Sequence, residues 1–112
     1  MPKIKNPFGQ ANVVALTATG AQAITIEDEL TIVDGQTVIA TGNRTLNLTI
    51  SSEIKAGAAI FLKSRTTATE TTVPGTGMTA PTITGVAGKI FCAKYIYDGI
   101  TFKPVAAAVQ ID

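Results

Sequence analysis

Histidine and tryptophan are absent from this chain, and Cys92 is its only cysteine. Without an imidazole there is no Ser-His or Cys-His dyad, no Cys/His zinc site, and with one thiol no disulfide within the chain. Cys92 falls in the apolar run Ile90 to Ile96, where a buried, inert thiol is expected rather than a nucleophile. Charge is also scarce, at 15% of residues and a net +1. Such a balance produces no long-range field to gather nucleic acid or an anionic membrane. No apolar run approaches the ~18 residues of a membrane span. The opening MPKIKNPFGQ, interrupted by Pro2 and Pro7, has no signal-peptide core.

What is present is apolar and β-prone. Apolar residues make up 46% of a 112-residue chain, enough for one small domain. Roughly one residue in six is threonine, a residue that suits strands. So little charge leaves two readings of the surface. Either it is coated in threonine, or part of it is buried against copies of the chain or a partner.

Residues 1–11 hold two prolines, two lysines and a glycine without periodicity, and read as an extended N-terminal arm. Residues 12–112 read as a single β-domain, in which short strand-like runs alternate with turn signals. No segment sustains a helical stripe. The fold class expected is all-β, an antiparallel β-sandwich or jelly-roll-like domain. Asp34-Gly35 and Asp98-Gly99 each lie between strand-like runs and predict tight hairpins of type I′, which need positive φ at both central residues. In Thr45 to Ile50, Leu46, Leu48 and Ile50 share one face and Thr45, Asn47 and Thr49 the other, the pattern of a half-buried strand. The C-terminal run alternates Val105, Ala107, Val109 and Ile111 against Ala106, Ala108 and Gln110. Its small residues allow close packing within a sheet or at a subunit axis. The Gly-rich stretch from Pro74 to Gly88 reads as a crossover between sheets or an exposed contact loop.

No residues assemble into a recognisable catalytic, cofactor or metal motif, and the chain is expected to be neither an enzyme nor a cofactor protein. Glu27-Asp28-Glu29 is the one acidic cluster, and its consecutive carboxylates point alternately, as in a solvated turn. Asp34 and Asp98 are explained by their turns. Asn43-Arg44-Thr45 and Asn47-Leu48-Thr49 match the glycosylation triplet, a pattern that arises by chance in a Thr-rich chain. Lys63, Arg65, Lys89, Lys94 and Lys103 lie near Phe61, Tyr95, Tyr97 and Phe102. A nucleic-acid platform would need them on one face. Alternation instead puts Phe91, Ala93, Tyr95 and Tyr97 together and Lys94 opposite, so a core aromatic stripe is the better account.

A resemblance emerges from the order of several short motifs. These are Asn43-Arg44-Thr45-Leu46-Asn47-Leu48, Ala56-Gly57, Ala80-Pro81-Thr82-Ile83-Thr84, Ala87-Gly88, and Tyr95-Ile96-Tyr97-Asp98-Gly99 followed by Phe102. In this order the stretch from about residue 40 to 106 resembles a small β-domain of tailed-bacteriophage virion proteins. Where that family carries tryptophans, this chain has Phe102 and no tryptophan at all. The resemblance implies a structural role, often as a homotrimer, with no catalytic residues to transfer. Read as a complete chain without a fibre shaft, it implies a head fibre or auxiliary capsid protein. Such a protein would be made in the host bacterial cytoplasm and placed on the capsid exterior. Its arm would anchor it, with Lys3 and Lys5 meeting carboxylates of the shell, Ile4 and Phe8 filling apolar pockets, and Pro7 keeping the backbone extended. The partners implied are other copies of itself and capsid or other virion proteins. The alternative is a host-surface module that binds a bacterial glycan or protein.

Overall fold

The computed structural model describes residues 11–112. Over that range the protein is all-β, with ten strands in two sheets and no helix. The strands are β1 (Ala11–Ala15), β2 (Gly20–Ile26), β3 (Leu30–Ala40), β4 (Arg44–Ile50), β5 (Ala59–Thr66), β6 (Thr71–Pro74), β7 (Ile83–Thr84), β8 (Ile90–Tyr97), β9 (Phe102–Pro104) and β10 (Val109–Gln110). Ala11, assigned to the arm from sequence, begins β1. The proposed anchoring residues Lys3, Ile4, Lys5, Pro7 and Phe8 lie outside the described residues.

The chain changes sheet at every connection from β1 to β6. In the first sheet β1, β3 and β5 are parallel neighbours, and in the second β2, β4 and β6 are. After β6 the direction reverses: β7 folds back on β6, β8 lies antiparallel on β5, and β9 and β10 both lie antiparallel on β8. This corrects the expected antiparallel order, jelly roll included, for the first six strands. A turn residue marks where the chain bends, but not which sheet it bends into. Here each early turn carries the chain across the core, so sequence neighbours meet through side chains. Parallel pairing follows because the strand of the opposite sheet supplies the crossover.

The Asp34-Gly35 hairpin is the second correction. Both residues lie inside β3, where Gly35 stands opposite Ser64 of β5. Gly35 is not among the positive-φ glycines, so no type I′ turn forms there. Glycine is required for space instead, since a Cβ would sit 2.7 Å from the Lys63 carbonyl oxygen and 3.1 Å from Arg44 Nη1. Asp34 Oδ1 accepts from the backbone N–H of Gln36 and Thr37, at 2.9 and 3.1 Å. The local ring bends the strand, and the β3–β5 register shifts between Gly35 and Ala40.

One hydrophobic cluster joins the sheets. It takes Ile24 and Ile26 from β2, Val33 from β3, Leu46 and Leu48 from β4, Ile60 and Leu62 from β5, Tyr95 from β8 and Phe102 from β9. Each aliphatic side chain so buried contributes about 1.5–3 kcal/mol. The alternation read in β4 places Leu46 and Leu48 inward as its sequence requires. On the other face, Asn47 Oδ1 accepts from the Thr76 N–H at 3.1 Å, and Asn43 Oδ1 from the Thr71 N–H at 3.0 Å. Both carboxamides thus tie β4 to the chain on either side of β6.

The stretch from Pro74 to Gly88 carries the chain from the second sheet to the first. Met78 and Ile83 enter the core from it. The C-terminal run is not the continuous strand its alternation suggests. From Tyr95 to Cys92 there are three steps along β8, and from Pro104 to Val109 there are five along the facing segment. The two excess residues are taken up within Val105–Ala108, where the Val105 N–H still donates to the Lys94 carbonyl at 3.0 Å and Ala108 packs against the core.

Candidate interaction face

Alternation in the first sheet sends Thr31, Val33, Ile60, Leu62 and Tyr95 inward and leaves their neighbours on the outer face. The register then lines up Val13, Ile32, Phe61 and Lys94 across four strands. A parallel row holds Leu30, Ala59 and Ile96, and another holds Asp34, Lys63, Cys92 and Val109. The result is an apolar surface with little polar cover. Val13 is 62% exposed, Phe61 40% and Val109 58%. The second sheet presents a different outer face, where Ala21, Thr45 and Val73 adjoin, and Thr25 lies beside Thr49.

Between β5, β8 and the Val105–Ala108 segment, the apolar face deepens into a groove of about 540 Å³. Phe61 and Val109 form part of its walls, with Cys92 between them and Lys63 and Lys94 at its rim. Lys94 Nζ lies 5.1 Å from the Phe61 ring centroid, a cation–π contact at the edge of the groove. Cys92 is only partly buried and belongs to this outer face, which corrects the buried thiol expected from its apolar run.

Asp98-Gly99 connects β8 to β9, which pair through Tyr97 and Phe102. The loop spans residues 98–101, and only Gly99 of the two has positive φ, at 98°, so it is not a two-residue type I′ turn. Asp98 Oδ1 accepts from the N–H groups of Ile100 and Thr101 at 2.8 and 2.9 Å, while Oδ2 pairs with Lys103. The Lys103 ammonium, with these two N–H groups, holds the Asp98 carboxyl well below the usual carboxylate range. Asp34 is likewise lowered, first by the Thr37 hydroxyl and then by the Gln36 and Thr37 amides. Both aspartates are therefore occupied in shaping backbone.

The aromatic stripe is internal. Tyr95 lies in the core with Phe91, Ala93 and Tyr97 packed against it, and burial pushes its hydroxyl up to about 12. Tyr97 and Phe102 stack with centroids 5.0 Å apart. Glu27 and Glu29 sit with Glu53 and Lys55 around a separate depression formed by the β2–β3 and β4–β5 connections. Among the described residues, no three His, Cys, Asp or Glu side chains converge as metal ligands would.

Arg44 is the residue that sequence reasoning missed. It is buried to 1% exposure and reaches from the second sheet to the first. Nη2 donates to the carbonyl oxygens of Gly35 and Arg65, each at 2.9 Å, and Nη1 to that of Val38 at 3.2 Å. Its signal was parity: Arg44 shares the inward phase of Leu46 and Leu48.

Compared with known proteins, the chain matches no family model, no curated protein and no solved structure.

Proposed function

We propose that this chain is a structural virion protein of a tailed bacteriophage, a non-catalytic capsid-decorating or head-fibre protein that assembles as a homotrimer. Its place is the capsid exterior, held there by residues 1–10 as an extended arm. The observation that carries the structural part of this reading is the apolar outer face of the first sheet. A sheet face bearing Val13, Ile32, Phe61 and Val109 side by side is what an assembly covers, and a free monomer would leave it wet. The second sheet's Thr- and Ala-rich outer face suits the solvent side. The virion assignment comes from the motif order between Asn43 and Phe102, and the fold gives those motifs a single domain to belong to.

The experiment is co-sedimentation of the purified protein with phage capsids lacking it, using the full chain and a chain without residues 1–10. The full chain should pellet with capsids in saturable amounts, and the shortened chain should stay in the supernatant. Failure of the full chain to bind capsids overturns the reading.

One feature favours a host-surface module instead. A concavity of about 220 Å³ lies between Pro81 and Pro104, with Phe91 and Tyr95 in its wall. The Pro81 and Pro104 rings with the partly exposed Phe91 suit a sugar ring. Retention on a bacterial-glycan array, lost on Pro81→Asp, would transfer the assignment to this second reading.

A further inference from the structure

We propose that the outer face of the first sheet is a self-association surface on which the acidic β2–β3 turn of a second copy docks, Lys63 and Lys94 meeting Glu27 and Glu29. The proposal deepens the oligomeric part of the reading above and rests on that part alone.

The face has apolar area and an excess of positive charge, two lysines to one carboxylate. Lys63 and Lys94 stand at the rim of the groove, and among the described residues the only ion pair is Lys103 with Asp98. Asp34, the one carboxylate on the face, stands opposite Lys63 and answers part of its charge, but it is tied to Thr37 and Gln36 and does not reach Lys94. A covering partner must therefore bring anions as well as apolar contact. The chain carries one acidic cluster, and it is placed to serve. Glu27 and Glu29 project at the β2–β3 turn, Glu53 stands beside them, and Lys55 is the one cation around that depression. A net charge of +1 puts little repulsion between copies.

The symmetry of the contact follows from charge. If two copies met face to face about a two-fold axis, four lysines would meet only two carboxylates, each already beside the Lys63 of its own copy. A head-to-tail contact, face on acidic turn, matches opposite charges and leaves each copy with both patches used once its ring closes. Area points the same way. Four strands about 4.8 Å apart carrying three outward rows about 7 Å apart make a patch of roughly 400 Å². That is well short of the ~800 Å² per partner of a stable interface. In a ring every copy buries two different patches, and the Val105–Ala108 segment adds to the first.

Light scattering after size exclusion of the full chain, across micromolar concentrations, reads the assembly. Lys63→Glu with Lys94→Glu should raise the concentration at which the oligomer dissociates at least about 100-fold, because like charges would then face each other. Glu27→Lys with Glu29→Lys should do the same, and the chain with all four reversals should recover the wild-type oligomer. Cys92 supplies a second readout inside the groove. Its alkylation should be slow in the wild-type oligomer and at least about tenfold faster in either double variant, with circular dichroism checking that each remains folded. A monomeric wild type, an oligomer indifferent to both reversals, or a four-fold variant that stays dissociated overturns the proposal. Loss of capsid binding with the oligomer intact would overturn the virion reading and leave this one standing. A monomer that still binds capsids would do the reverse.

Discussion

Arg44 places a permanent cation inside the domain, with carbonyl oxygens rather than a carboxylate as its direct partners. Burial lowers the basicity of the guanidinium, and Asp34 and Glu70 act at longer range to oppose that effect. The arrangement is stable because a planar fork can answer several carbonyls that converge where β3 bends. Ser64 Oγ and Thr72 Oγ1, 2.9 Å apart, extend the same polar bridge between the sheets. Removing the fork leaves the oxygens of Gly35, Val38 and Arg65 without donors in a space that water does not freely reach. Arg44→Met should therefore cost about 3–5 kcal/mol of unfolding free energy, measured by denaturant titration. Arg44→Lys should recover less than half of it, since one ammonium cannot span carbonyls on both sides of the bend. A loss below about 1 kcal/mol for Arg44→Met would show that the bend holds without the fork.

The β8–β9 hairpin is an element whose stability is tied to acid. The folded-state pKa of Asp98 lies below its ordinary 3.8, chiefly through Lys103. The carboxylate therefore stabilises the fold above that ordinary value, and the contribution disappears as pH falls through the depressed folded one. Acidification from about pH 7 to about pH 2 should lower the melting temperature of the wild type more than that of Asp98→Asn, the two converging at the acid end. Parallel curves for the two proteins would separate Asp98 from the acid sensitivity. The two Asp-Gly pairs also mark how far local sequence reaches. At Asp98-Gly99 the flanking strands pair with each other, so a local turn signal coincides with the actual connection. At Asp34-Gly35 the same dipeptide sits mid-strand, and the reason for its glycine is chiefly the Lys63 carbonyl of the neighbouring strand, with Leu16 and Arg44 crowding the same space. Alternation was legible wherever one face is buried, as in Leu46 and Leu48. The pairing partner was not, because parallel neighbours are separated by an entire strand of the other sheet. The candidate face was half visible for the same reason. Alternation puts Phe61 with Lys63 outward, while their adjacency to Lys94, Cys92 and Val109 depends on the register.

The molecule as a whole has two outer faces of opposite character on one core. Behind β1, β3, β5 and β8 lies an apolar surface bearing Lys63 and Lys94. Behind β2, β4 and β6 lies a surface of Ala, Thr and Asn whose carboxamides are tied to neighbouring backbone. If the domain works in an assembly, the same substitution should have opposite consequences on the two sides. Phe61→Glu removes an exposed aromatic and its contact with Lys94 without touching the core, so the isolated fold should lose no more than about 1 kcal/mol. Thr49→Glu, on an exposed position of β4 directed away from the core, should be equally mild for the fold. In the assembly the two diverge. A carboxylate at position 61 must be desolvated beneath a partner, and the oligomer should dissociate at concentrations at least tenfold higher, whereas position 49 stays wet and the oligomer should be unchanged. Sedimentation velocity of both variants checks this. Equal weakening by both would place the contact elsewhere. Weakening by Thr49→Glu alone would make the Thr-rich sheet the buried side and turn the proposed orientation around.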